Sequence, residues 1–294
     1  MISIVLATYN GEKYIKEQLE SIINQSFKDF EILILDDKSE DNTLEIIKDY
    51  ENKYNFIRVI QNKKRVGVIK NFEKGISLTN GDFIALSDQD DIWEKDKLLV
   101  QYNAIKKYKI PAMVHSDLSI INEKGEKICN SFFKKKGYFF PKKKSVDILI
   151  SRSGVMGNTI MFNKQLKSLI LPFYKEIPMH DYYIGVIAEL YGKRITLNQK
   201  LVRYRIHSSN IGNKQKNLKE KITGFFKDNL PYQDRIEFLE YLLNKKDIIQ
   251  DDKKEIEKFL KNIKSPTFKS IFLSNYYKNK ISYKAKLFLR AILR

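Results

Sequence analysis

Two hydrophobic rhythms alternate along the first third of the chain. Ile2 to Leu6 is an apolar run of strand length, and Gly11 to Gln25 then carries Ile15, Leu19, Ile22 and Ile23 at helical spacing. Glu31 to Leu35 returns to a strand pattern ending at Asp36 and Asp37. Asp41 to Tyr50 reads as a helix capped from Ser39 or Asp41, Phe56 to Ile60 as a strand, Val68 to Leu78 as a helix, and Phe83 to Leu86 as a strand. Continuously apolar strands that alternate with helices predict an α/β fold with a largely parallel central sheet and right-handed crossovers. Such a sheet gathers the loops Thr8 to Glu12, Asp36 to Ser39 and Ser87 to Asp91 at the carboxyl ends of the strands, where open α/β sheets bind ligands.

Further along, a helix is predicted from Trp93 to about Lys107, then a strand over Ala112 to Ile121 that turns at Glu123 to Glu126. Ser153 to Thr159 leads into another strand, Asp181 heads an apolar helix, and Asn198 to His207 is a further strand. Tyr138 to Lys144 is basic and aromatic, suited either to a loop over an acceptor or to a solvated connection. From Asn213 the composition changes to Lys-rich helical segments over Leu218 to Asn229, Gln233 to Leu243, Asp251 to Ile263, Phe268 to Tyr277 and Ser282 to Arg294. The domain organisation expected is therefore 1–212 and a basic helical region over 213–294.

The strand ending at Leu86 runs straight into Asp88, Asp90 and Asp91, three carboxylates within four positions. So crowded, they repel one another unless a cation or donor groups sit among them. Mg²⁺ takes oxygen ligands, usually one or two from protein, with phosphates completing its shell, which points to a metal carrying a phosphorylated substrate. The same acids would also suit the first turn of a helix, where the dipole favours negative charge. With three His and a single cysteine, Cys129, neither an intrachain disulfide nor a Cys/His zinc site is expected. No Gly-x-Gly-x-x-Gly or Gly-Lys-Ser/Thr loop follows the first strand, which disfavours ordinary dinucleotide and P-loop chemistry.

The formal net charge of +18 predicts attraction to something acidic. Lys264 to Arg294 holds eight of the basic residues and no acid. In its last segment Ala285, Phe288, Leu289 and Ile292 share one face, as in a helix lying on an anionic membrane surface or packing on the main domain. The apolar start Met1 to Asn10 has no basic leader and reads as a strand, so a cytoplasmic protein, peripheral on the inner face of the membrane, is expected.

Ala7-Thr8-Tyr9-Asn10-Gly11, Gln25-Ser26-Phe27, Glu31 to Thr43, Asn71 and Gly81-Asp82-Phe83-Ile84 together resemble family 2 glycosyltransferases of the GT-A fold. Ser87-Asp88-Gln89-Asp90-Asp91-Ile92-Trp93 is similar to the variant in bacterial rhamnosyltransferase-like members. The resemblance covers about residues 1 to 212. It implies that Thr8, Asn10, Glu12, Asp37, Arg65, Asn71 and Asp88 bind the nucleotide-sugar, with Asp37 facing the base and Asp88 by the ribose. It implies also that Asp90 holds Mg²⁺ or Mn²⁺, with His207 reaching the metal or the diphosphate, and that Asp181 is the general base. Each has a plainer alternative: Asp36, Asp37 and Asp181 as helix caps and turns, His207 as a structural residue. His180 stands where the family often has an acid, and its role stays open.

The activity so implied is an inverting, metal-dependent transfer of rhamnose or another hexose from a dTDP- or UDP-sugar to a lipid-linked glycan acceptor. A nucleotidyltransferase on a similar sheet is the nearest alternative. A basic nucleic-acid-binding protein is less suited, because acids gathered at the strand ends would repel a polyanion, and no nucleic acid partner is expected.

Overall fold

The computed structural model describes residues 1–140, 143–146, 149–150, 154–208 and 233–264. Predicted helices over Leu218 to Asn229, Phe268 to Tyr277 and Ser282 to Arg294 lie outside the described residues, and with the last of them the segment expected to lie on a membrane or pack on the main domain. By contact density the chain divides into two units, the first made of Met1–Lys144, Gly154–Tyr174 and Met179–His207 and the second of Ser145–Ser153, Lys175–Pro178 and Ser208–Arg294.

The first unit alternates as its hydrophobic pattern dictates. Strands β1 (Ile2–Thr8), β2 (Phe30–Asp36), β3 (Ile57–Gln61) and β4 (Phe83–Ser87) are linked by helices α1 (Ile15–Ile23), α2 (Thr43–Lys53) and α3 (Val68–Ser77). All four strands pair in parallel, in the order β3-β2-β1-β4. Ile2, Ile4 and Leu6 share a buried cluster with Ile15, Leu19 and Ile22 of α1, Ile47 of α2, and Leu98 and Ile105 further along. On the other sheet face, α3 approaches through Gly75, where a Cβ would meet Val5 Cγ1 at 2.4 Å and Leu35 Cδ2 at 2.8 Å.

The rest of the sheet is mixed. After β5 (Ile92–Trp93) and α4 (Lys97–Ile105) comes β6 (Ala112–Ile121), buried along its whole length. Then follow β7 (Lys127–Cys129), α5 (Phe132–Lys136), a short 3₁₀ turn (Gly157–Thr159), β8 (Met161–Asn163), α6 (Lys164–Ile170), α7 (His180–Tyr191) and β9 (Lys193–Arg205). The order continues from β4 through β8, β6 and β9 to β5, with β7 on β6; β8 runs antiparallel to both its neighbours, and β9 is parallel to β6. Ile92 and Trp93, ahead of the predicted helix, pair with Arg203 and Val202, so the chain after the acidic loop is stitched to the end of β9.

In the second unit, α8 (Gln233–Leu243) and α9 (Gln250–Lys264) pack on one another. Ile236, Leu239 and Leu242 on α8, and Ile256, Phe259 and Leu260 on α9, are buried at the spacing of amphipathic helices. Among the described residues no helix is long and apolar enough to cross a membrane.

Candidate active site

Because β1, β2 and β4 are parallel and in register, with Thr8 beside Asp36 and Leu6 beside Ser87, their carboxyl ends release three loops side by side. Gln89 ties the first loop to the third. Its Oε1 accepts from Thr8 Oγ1 at 2.6 Å and from the Tyr9 N–H at 2.8 Å, and its amide nitrogen donates to the Tyr9 carbonyl at 3.1 Å. The close fit requires glycine at position 11, where a Cβ would stand 2.4 Å from that Oε1.

The residues expected to line the nucleotide pocket divide by what they touch. Asn10 accepts the Glu40 N–H through Oδ1 at 2.9 Å, and Glu12 accepts from the backbone and side-chain nitrogens of Asn42 at 3.0 and 2.8 Å, so both knit the first loop to the start of α2. Asp37 is nearly enclosed and accepts from Asn62 Nδ2 at 3.0 Å and from the Val66 and Gly67 N–H groups at 2.8 Å. Its carboxylate thereby folds the rim carrying Arg65, whose guanidinium sits 3.9 Å from the Tyr9 ring centroid. Asn71 is buried within α3, where it donates to the Leu35 carbonyl at 2.8 Å and accepts from Asn62 at 2.8 Å, so these bonds hold it against the end of β2.

The acidic loop separates its three carboxylates by environment. Asp91 is fully buried and accepts from Asn158 Nδ2 and, at 3.1 Å, from the Arg205 N–H. Burial, then repulsion from Asp90 and Asp88, holds its pKa well above the usual carboxylate range. It is an anchor rather than a ligand-facing group. Asp88 is half-buried, and its pKa is pushed up to about 7 by burial and by the carboxylates of Asp90 and Asp181. Asp90 meets His207, whose Nε2 lies 2.8 Å from Asp90 Oδ2. The His207 ring packs on Tyr14 with centroids 5.0 Å apart.

Behind this group lies Arg205, which no motif had singled out for chemistry. Only 2% exposed, it donates through Nε to the Asp90 carbonyl at 3.0 Å, through Nη1 to the Glu123 carbonyl at 3.1 Å, and through Nη2 to the Glu17 carboxylate. The position of Arg205 two residues before His207 was the available signal: strand alternation sends the two to the same side.

Asp181 stands in the first turn of α7 and does not cap it through a bond to a later turn. Its Oδ2 accepts from the Gly157 N–H at 3.2 Å and its Oδ1 from the adjacent Tyr182 N–H at 2.6 Å. The carboxylate is thus aimed by backbone from two elements, and it is close enough to raise the pKa of Asp88. His180 is buried, stacks on Phe72 with centroids 4.1 Å apart, and neither ring nitrogen has a hydrogen-bond partner among the described residues. Burial pushes its pKa down to about 3, so it is a neutral packing ring beside the carboxylate.

Asp88, Asp90, Asp181 and His207 therefore come from three segments into one electrostatic environment, while Thr8, Asn10, Glu12, Asp37 and Arg65 form the adjoining loops. This donor set suits a divalent cation. Carboxylate oxygens are the ligand type of Mg²⁺ or Mn²⁺, and the upward shift at Asp88 marks negative charge that a cation would offset. Among the described residues no group of three or more His, Cys, Asp or Glu is placed to hold a metal ion. Asp90 and His207 stand together as a hydrogen-bonded pair.

Comparison with known proteins agrees with this architecture. The family described as Glycosyl transferase family 2 matches residues 3–163. The dTDP-rhamnosyl transferase RfbG of Shigella flexneri is 47% identical over 98 residues, 32% of this chain and 34% of that protein. The Escherichia coli enzyme WfgD, named UDP-Glc:alpha-D-GlcNAc-diphosphoundecaprenol beta-1,3-glucosyltransferase, is 27% identical over 235 residues, 78% of this chain and 87% of that protein. Among solved structures, S. aureus TarS 1–349 in complex with UDP-GlcNAc superposes with a TM-score of 0.64 at 20% identity, over 97% of this chain and 78% of that one, a likeness of GT-A fold. With the family matched over more than half of this chain, the chain belongs to glycosyl transferase family 2 and is a glycosyltransferase.

Proposed function

We propose that the protein transfers rhamnose or another hexose, with inversion, from a dTDP- or UDP-sugar to a hydroxyl of a lipid-linked glycan at the cytoplasmic membrane face. The observation that carries this reading is the Asp181 carboxylate, oriented by the Gly157 and Tyr182 N–H groups and near enough to Asp88 to raise its pKa. Local likeness to a dTDP-rhamnosyl transferase supports the donor, and likeness to an enzyme named for a diphosphoundecaprenol acceptor supports the lipid carrier. On this reading residues 1–212 form the catalytic domain and 213–294 a basic extension that favours anionic lipid.

Asp90 and His207 would hold the Mg²⁺ or Mn²⁺ ion, which when bound would supply positive charge to the diphosphate leaving group. The chain's own groups do the rest. Arg65 on the Tyr9 ring flanks the base pocket, and Gln89 keeps that ring in register with the acidic loop. Asp181, oriented by the Gly157 and Tyr182 N–H groups, takes the proton from the acceptor hydroxyl. The hydroxyl oxygen attacks the anomeric carbon as its bond to the diphosphate breaks, and a single displacement inverts that centre.

Asp181→Asn keeps one of the two backbone hydrogen bonds through its single carbonyl oxygen and cannot accept the proton. Sugar transfer should fall by roughly 10²–10⁴-fold, the usual worth of general base catalysis, while donor affinity stays within about twofold. Transfer is read as nucleoside diphosphate release and affinity by calorimetry over a panel of nucleotide-sugars with Mn²⁺. Unchanged turnover in Asp181→Asn would refute the base assignment; no binding of any nucleotide-sugar would refute the donor assignment.

A further inference from the structure

From Lys127 to Val146 the sequence carries seven lysines (Lys127, Lys134, Lys135, Lys136, Lys142, Lys143 and Lys144), five aromatic residues and no acid. This run, β7 and α5 with their flanks, is not part of the donor site, and it is firmly built. Asp117 on β6 accepts from the Phe133 N–H at 3.0 Å and from Ser131 Oγ at 2.5 Å, and Ser131 in turn caps α5 by accepting from the Lys134 N–H at 3.1 Å. Gly137, with φ of 63°, reverses the chain so that the Tyr138 N–H returns to the Phe133 carbonyl at 2.8 Å.

The aromatic residues sort by side. Phe133 and Phe140 pack on His115, with centroids 5.9 and 4.8 Å away, and Tyr138 and Phe140 close over Gly154. Phe139, between two inward-facing neighbours, is turned out and is 77% exposed, more than any other large hydrophobic side chain among the described residues. Ile128 on β7 is 55% exposed. In the same stretch Lys127, Lys134, Lys135, Lys136 and Lys143 are exposed, and none forms an ion pair with a described carboxylate.

We infer that this β7–α5 surface is a docking site for an anionic lipid bilayer, with Phe139 and Ile128 entering the headgroup boundary and the lysines facing acidic lipid. Exposed apolar side chains in one short stretch with unpaired cations have the two attractions that interfacial binding combines, and aliphatic Ile128 offers nothing to a stacked nucleobase. The segment rests on Gly154, three residues before the Gly157 N–H that aims Asp181, so a bilayer held here would present lipid-borne acceptors at the edge carrying the base. The inference uses neither the donor nor the acceptor assignment and stands or falls by lipid binding alone.

The test is cosedimentation of the full chain with vesicles of phosphatidylcholine, alone and with a third phosphatidylglycerol. Binding should require the anionic lipid and weaken in high salt. Each lysine near an anionic surface strengthens binding about fivefold, so Lys134→Gln/Lys135→Gln/Lys136→Gln should lower the partition coefficient on the order of a hundredfold. Phe139→Ser should lower it further, with the thermal midpoint unchanged because the side chain is solvated. In Phe139→Trp the new indole emission, read against the single buried Trp93, should shift to the blue on anionic vesicles. Absent vesicle binding, equal binding by the triple-lysine variant, an unshifted indole, or retention by single-stranded RNA in place of vesicles would each overturn the inference.

Discussion

The contact between Gly11 and Gln89 can be tested as a unit. Gln89→Ala removes three hydrogen bonds, those with Thr8 Oγ1, the Tyr9 N–H and the Tyr9 carbonyl. At about 1 kcal/mol each, and with water recovering part of the loss at this half-buried site, the expected cost is about 2 kcal/mol. Gly11→Ala needs no unusual backbone, since φ at Gly11 is not positive, but its Cβ would stand 2.4 Å from Gln89 Oε1. The amide is the far end of a flexible side chain and can swing away, losing the same three bonds, so this variant should also cost about 2 kcal/mol. The double variant removes amide and clash together and should cost little more than either single. The interaction energy from urea unfolding should therefore be about −1 to −2 kcal/mol. Additive costs, within roughly 0.5 kcal/mol, would refute the claim that both residues act through one contact. Each single variant should also weaken binding of a UDP- or dTDP-sugar, because the Tyr9 ring that carries Arg65 is held by the same amide.

Other consequences are more local. Gly75→Ala gains helix propensity but drives a Cβ into Val5 and Leu35, so overpacking should win and lower stability by about 1–3 kcal/mol, measured by urea unfolding; a neutral result would mean α3 can move off the sheet. Burial pushes the pKa of His115 down to about 3, with Arg194 adding to the effect, whereas the unfolded chain protonates near 6.5. The unfolded state then binds more protons, so His115 leaves stability intact above about pH 6.5 and costs about 1.4 kcal/mol per pH unit as pH falls from there toward 3. His115→Gln should flatten that slope relative to the parent protein in urea titrations at pH 7.5, 6 and 5, the carboxylates cancelling in the difference; parallel curves would contradict it. Arg205→Met leaves the carbonyls of Asp90 and Glu123 without their donor and should cost about 3 kcal/mol, the exposed Glu17 partner adding little, as read by thermal unfolding against the parent.

The half of the sheet made of parallel strands was legible because β1, β2 and β4 are buried on both faces, β3 at the edge still shows an apolar run, and the helices between them carry apolar stripes. The mixed half was less so. Ile92 and Trp93 form a two-residue strand, too short to show any period, and its partners lie more than a hundred residues away. Within the site, the acids were visible as a cluster, but local sequence does not say which acid faces inward. Asp91 became an anchor because Asn158 and the Arg205 backbone reach it, and both belong to distant elements. Gln89 drew no notice among its charged neighbours, although its neutral amide can both donate to and accept from one peptide unit. Asn71 lay within a recognisable motif, but the bonds to Asn62 and Leu35 that hold it against the end of β2 join separate elements.

The Arg205 guanidinium has a bearing on where a working enzyme can end. One side chain grips segments around residues 17, 90 and 123. The matched family segment stops at residue 163, before this keystone enters. A shortened protein trimmed to that segment would retain every acid of the signature loop and lose one of the two donors on Asp91, the support of the Asp90 carbonyl and the His207 imidazole together. Expression trials aimed at a minimal catalyst should therefore keep the chain through at least His207.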